Sequence, residues 1–238
     1  MEQVSAAQGK PPTRQSDAEL ESAAWLQISL EALKSEDYEL AVHSLSNCIN
    51  LKQSNAARAW LELGKIVAQA SLNPSKAYDF WFHQHSESPE EALASAIQLF
   101  ENAIALKPDY AEGWLELSKC HDLRKEYAQA ISAAKEATRL APNECEGWMR
   151  LSGGLFETGS YDEAIDALQH AEKVATDAPQ RAGALVGLGI MYDRKGDREK
   201  VLKVYQELQG LDSVAAKNFF QEYVLPQQHT VQPGNPSK

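Results

Sequence analysis

Basic charge in excess, a cysteine framework and long apolar runs are all missing from this sequence. Lys and Arg number 23 against 34 Asp and Glu, for a net charge of −11. That balance argues against nucleic acid or an anionic membrane as a general partner, because phosphate binding needs a basic footprint. No stretch of 18 or more apolar residues occurs, so no membrane span is expected. The start, Met1-Glu2-Gln3-Val4, has no basic region leading into an apolar one and does not read as a secretory signal. The three cysteines, Cys48, Cys120 and Cys145, are too scattered for a disulfide framework, and a reducing, cytoplasmic setting is the simplest reading.

Motifs of catalysis are equally scarce. There is no Gly-rich phosphate loop, no Gly-x-Ser-x-Gly elbow and no His-Glu-x-x-His. Gly187-Leu188-Gly189 falls inside a helical pattern rather than after a strand. Carboxylates such as Glu62 and Glu116 belong by default to solvated faces of an acidic helical protein. His83 and His85 lack a Cys or acidic residue at ligand spacing, so no metal is expected. Neither a catalytic residue nor a cofactor is anticipated, and the chain does not read as an enzyme.

What is present is repetition. Ala59-Trp60-Leu61-Glu62-Leu63-Gly64, Gly113-Trp114-Leu115-Glu116-Leu117-Ser118 and Gly147-Trp148-Met149-Arg150-Leu151-Ser152 are one phrase written three times, the last two 34 residues apart. Ala-rich phrases follow, two of which end Leu106-Lys107-Pro108 and Leu140-Ala141-Pro142. A fixed period of this size marks stacked supersecondary units that share one core. Apolar residues recur at i, i+3, i+4 and i+7, the helical period. Small residues at the eighth position (Gly or Ser) and at the twentieth and twenty-seventh (Ala) would let paired helices approach closely, with Trp and Leu filling between them.

These residues resemble the tetratricopeptide repeat, two antiparallel helices with Trp-Leu-Gly-Tyr in the first and Ala-Phe-Ala-Pro in the second. The resemblance covers roughly residues 22–213 and implies an all-α, right-handed superhelical solenoid of about five helix-turn-helix repeats. The expected units are 22–55, 57–110, 111–144, 145–178 and 182–213, with a capping helix over 214–225. Residues 1–17 and 226–238, polar and Pro-containing, are expected to be disordered tails flanking a solenoid over 18–225. In the cap, Val214, Ala215, Asn218, Phe219 and Val224 can share one face, with a dimer contact through Phe219, Phe220 and Tyr223 as the alternative.

The second repeat carries about twenty extra residues, assigned to an insertion over 69–90. Asn73-Pro74 is a helix start, and Ser88-Pro89-Glu90-Glu91 is a capping box opening the next helix. Between them Tyr78, Trp81, Phe82 and His85 form a helical stripe that either packs on the solenoid or meets a partner.

In the family the concave face is lined by the second, fifth, ninth and twelfth positions of each first helix. Carried over, this implies an apolar floor of Leu26, Leu30, Leu61, Leu115, Met149 and Phe156. Arg58, Lys65, Lys119 and Arg150 flank it. Family members that clamp acidic chaperone tails need Lys and Asn where Leu26, Leu30 and Leu61 stand here, so that role is not expected. The floor instead suits a peptide or amphipathic helix with apolar anchors and some acidic character. The expected function is a non-catalytic protein–protein interaction module, an adaptor or assembly scaffold. The alternatives are a cytoplasmic chaperone for a secreted or membrane-complex subunit and a self-associating structural protein, a homodimer through the aromatic insertion or the terminal cap.

Overall fold

Residues 16–72 and 88–225 of the 238 are described in a computed structural model of the chain. They form eleven α-helices and a closing π-helical turn, without strands. The helices are α1 (Asp17–Lys34), α2 (Tyr38–Asn50), α3 (Ala56–Leu72), α4 (Pro89–Leu106), α5 (Ala111–Leu123) and α6 (Tyr127–Leu140). They continue as α7 (Cys145–Glu157), α8 (Tyr161–Val174), α9 (Ala178–Arg194), α10 (Arg198–Leu211) and α11 (Ser213–Phe219), ending in the turn Phe220–Val224. Each odd-numbered helix from α1 to α9 packs against the helix that follows it, and each pair packs on the next.

Local chemistry fixes the helix ends. Ser16, Asp37, Asp177 and Asp197 each accept a hydrogen bond from the backbone N–H three residues on, satisfying a donor the first turn leaves orphaned. Ser88 and Glu91 form the anticipated capping box, Glu91 N–H to Ser88 Oγ at 3.2 Å and Ser88 N–H to Glu91 Oε2 at 2.6 Å. Between the helices of four pairs the chain turns through one left-handed residue, always the fifteenth of its unit. These are Glu36, Lys125, Gly159 and Gly196, with φ of 57°, 61°, 77° and 73°. Glycine takes that conformation without a Cβ penalty; Glu36 and Lys125 do not, and bear a strain of roughly 1 kcal/mol.

Close approach holds the layers together. A Cβ added at Gly64 would lie 2.6 Å from the Phe100 ring, and one at Gly189 would lie 2.3 Å from the ring of Phe219. The equivalent Ser118 is buried and donates its hydroxyl to the Ala130 carbonyl at 2.9 Å, tying α5 to α6. The same economy joins successive pairs: Gly154 meets Ile131, and Gly187 meets Leu168. Two of the three repeated tryptophans are anchored at their polar end. Trp114 Nε1 donates to the Pro108 carbonyl (3.0 Å) and Trp148 Nε1 to that of Pro142 (2.8 Å). The Leu-x-Pro ending of one unit is thus the acceptor for the Trp of the next.

Two details differ from expectation. α3 continues to Leu72, with Ala70 fully buried, so the N-terminal flank of the expected 69–90 insertion is a helical extension, while α4 begins at Pro89, where the capping box placed it. Tyr78, Trp81, Phe82, His83 and His85 lie outside the described residues. In the cap, Val214 is exposed, and the buried face consists instead of Ala216, Phe219 and Val224. Phe219 covers Gly189, Phe220 meets Tyr205 with ring centroids 5.2 Å apart, and Tyr223 leans on Phe219 at 5.1 Å. Arg198 fastens the end of the cap by donating to the carbonyls of Tyr223 and Val224, each at 2.7 Å. The three rings proposed for a dimer contact are thus engaged within the chain.

One substitution should act with opposite sign at two helical glycines. Gly189→Ala drives a methyl into the Phe219 ring and should cost about 1–3 kcal/mol. Gly153 has nothing within 4 Å of its added Cβ, so Gly153→Ala should stabilise by roughly 0.5–1 kcal/mol through helix propensity. Urea denaturation of the two variants, followed by circular dichroism, reads both.

Candidate partner-binding face

The first helices of successive pairs touch one another: α3 meets α5, α5 meets α7, and α7 meets α9. Consecutive second helices make at most a marginal contact among the described residues. The first helices therefore line the inner side of the curve, and their shared surface is the candidate partner-binding face.

Over its first part that surface is a ladder of alternating charge. On α3, Glu62 lies 4.0 Å from Arg58 and 3.4 Å from Lys65. Lys65 also bridges across to Glu112 at the start of α5. On α5, Lys119 pairs with Glu116 at 3.0 Å and reaches Glu146 of α7 at 2.8 Å. Arg150 closes the series 3.7 Å from Glu146. The arithmetic of the repeat produces this pattern. A Lys at position nine meets a Glu at position six one turn earlier and a Glu at position two of the next unit.

Both lysines are partly desolvated, and burial on its own pushes their ammonium pKa down. The carboxylates outweigh it, Glu112 and Glu62 at Lys65 and Glu146 and Glu116 at Lys119, so both lie above the usual lysine value. The cations expected to flank an acidic ligand are already engaged by the protein's own carboxylates.

The expected apolar floor changes in composition. Leu61 is wholly buried and Leu26 nearly so, both as members of the N-terminal core, and neither offers surface to a ligand. Leu30, Leu115, Met149 and Phe156 are half-buried, as a groove lining should be. Beyond the ladder the inner face becomes apolar: Met149, Phe156, Val186 and Ile190 are half-buried on α7 and α9. Gly153 leaves open space at the position where Lys65 and Lys119 stand in earlier units. The Met149 Cε lies 3.1 Å from an added Cβ at Gly183, so the two helices meet there without charge.

Arg194, which the sequence reading passed over, rests its guanidinium over the Phe156 ring at 5.5 Å. Its place at the last residue of a first helix, opposite the aromatic of the preceding unit, is the signal that could have found it. Among the described residues no three His, Cys, Asp or Glu side chains are placed to hold a metal ion. No described helix is long and apolar enough to cross a membrane.

Stacked helix pairs with an inner face of first helices define a helical-repeat protein. Two models of the tetratricopeptide repeat match the chain, over residues 90–151 and 154–216, together more than half its length. The chain belongs to the tetratricopeptide repeat family, whose members are in general protein-interaction modules. No curated protein matches the sequence. Among solved structures, MamA is similar at 17% identity over 91% of this chain and 98% of that one, with a TM-score of 0.60. MamA from Desulfovibrio magneticus RS-1 is similar at 15% identity over 82% and 96%, with a TM-score of 0.62. YrrB, described as a tetratricopeptide repeat protein with an unusual peptide-binding site, is similar at 18% identity over 86% and 99%, with a TM-score of 0.61. At these identities the likeness is one of fold.

The ladder should be measurable as a coupling. A double-mutant cycle of Lys119→Met and Glu146→Gln should give about 0.2–1 kcal/mol at neutral pH, as for partly exposed pairs, and less in high salt. Because the folded-state pKa of Lys119 is raised, the coupling should be complete below the unfolded lysine value of about 10.4. It should fade as pH rises through the folded value. Denaturant melts of the four proteins at pH 7 and pH 11, at low and high salt, check the sign.

Proposed function

We infer that this chain is a non-catalytic adaptor or assembly scaffold that holds a peptide or amphipathic helix of a partner protein in its concave face. The observation that carries the reading is the change along the inner surface from a self-neutralised ladder to an apolar stretch. That stretch consists of Met149, Phe156, Val186 and Ile190, with open space at Gly153. Apolar side chains of a ligand would be anchored there, against partly buried apolar surface. The ladder would set register by charge complementarity rather than by net attraction. Arg194, over the Phe156 ring, flanks the apolar stretch and favours an acidic residue beside the anchors. YrrB's description as a peptide binder supports a peptide ligand on this fold. Three free, buried thiols suit a reducing cytoplasmic setting.

The test is capture from the source cell's lysate with mass spectrometry, then titration of the purified partner. Four baits are compared: wild type, Phe156→Glu/Ile190→Glu, Lys65→Glu/Lys119→Glu, and Tyr78→Ser/Trp81→Ser/Phe82→Ser. The first variant should weaken the partner at least tenfold, about 1.4 kcal/mol, with its circular dichroism melt retained. The ladder variant should change affinity less and alter its salt dependence. Loss of the partner only in the Tyr78/Trp81/Phe82 variant would assign the site to that segment and sink the reading.

A further inference from the structure

We propose a second binding site, at the turn between α2 and α3, for the free C-terminus of a partner chain that ends in a large apolar residue. A cavity of about 590 Å³ opens there, within the range of roughly 300–1,000 Å³ typical of small-ligand pockets. Its walls are Ile49, Ala57, Trp60 and Leu106, and Lys52 and Lys107 stand at its edge. Leu106 is 59% exposed, high for a leucine at the end of an otherwise well-packed helix.

The cavity arises where the chain departs from its own repeat. The turns before Trp114 and Trp148 run Leu-x-Pro, and in each the proline carbonyl receives the indole N–H. The turn before Trp60 reads Leu51-Lys52-Gln53-Ser54, with no proline. Lys52 takes a left-handed backbone conformation, φ 52°, which the corresponding Lys107 and Ala141 do not adopt. The turn swings aside and leaves the Trp60 ring as a cavity wall.

Charge chooses the occupant. In a protein of net charge −11, this cavity has two ammonium groups at its edge. Among the described residues neither Lys52 nor Lys107 has a carboxylate within 4.0 Å, in contrast to Lys65 and Lys119. Lys107 lies over the Tyr110 ring, with Nζ 4.7 Å from its centroid. Of the polar residues in the turn, Gln53 donates to the Leu51 carbonyl at 2.9 Å. Ser54 donates to Glu19 at 3.3 Å. What remains for a ligand is an apolar slot with two cations, which matches one bulky side chain and its own α-carboxylate.

The site is separate from the concave face and does not depend on the function assigned to it. The probe is the peptide Gly-Ser-Gly-Ser-Leu-Phe with a free C-terminus, compared with its C-terminal amide and with phenylacetate, each titrated against the full chain by calorimetry. The free acid should bind at least tenfold more tightly than the amide. Lys52→Gln/Lys107→Gln should remove that difference, and Ala57→Phe should reduce binding of both peptides by filling the slot. Phe156→Glu/Ile190→Glu should leave all of it unchanged. Equal binding of acid and amide overturns the proposal, as does absence of binding by either. Binding of phenylacetate as tight as that of the peptide overturns the chain-terminus assignment in favour of a small carboxylic acid. Circular dichroism melts of both cavity variants exclude unfolding as the cause of any loss.

Discussion

Everything in this molecule depends on how closely its paired helices approach. At the eighth position of each first helix the side chain is a hydrogen or a hydroxymethyl: Ser29, Gly64, Ser118, Ser152 and Gly189. The two glycines admit whole aromatic rings, Phe100 and Phe219, into the space a methyl would need. A second set of small residues, Gly113, Gly147, Gly154 and Gly187, lets α5, α7 and α9 each settle on the second helix of the preceding unit. Dispersion contacts are short-ranged, so a few tenths of an ångström at these seams decide whether the layers pack or merely stand near one another.

That spacing creates the inner face. Because first helices touch each other while second helices diverge, charges at positions two, six and nine come within bonding distance across units that are far apart in sequence. The ladder therefore follows from the packing, and it affects what the groove can hold. Each lysine lies between carboxylates from two helices, and burial, which alone would lower its pKa, is overcome by them. A groove neutralised in this way presents little net field. At the uncharged end, Met149, Phe156, Val186 and Ile190 leave apolar surface partly open.

Much of this was legible in the sequence because the repeat constrains it locally. The Trp phrase, the Leu-x-Pro endings, the Ser88 capping box and the small eighth residues each have a mechanism confined to a few neighbouring positions, and all appear as read. The insertion's N-terminal edge was less legible. Helical propensity does not stop where a family pattern stops, and the first helix runs on through the buried Ala70 to Leu72, into the segment assigned as extra. Leu26 and Leu61 show another limit. Position five sits on the seam between neighbouring first helices, and whether a leucine there shows its tip or buries it depends on side-chain volumes on two other helices. Carrying a residue over from a family pattern supplies its address but not its exposure. The pairing of Lys65 and Lys119 was hidden for a similar reason, since each has one partner in another unit.

Position nine shows how one fold can carry different surfaces. Along the array it reads Leu30, Lys65, Lys119, Gly153 and Ile190, a series no packing requirement would produce. The eighth residue beside it is never larger than serine, because it faces the partner helix at a distance that admits nothing more. Two adjacent positions thus obey opposite constraints, one turned into the seam between helices and the other toward the curve's interior. The free position changes from cation to glycine between α5 and α7, just where the inter-helix contact changes from an ion pair to Met149 against Gly183. Surface character along the concave face is therefore set by a residue that can vary from unit to unit while the core repeats.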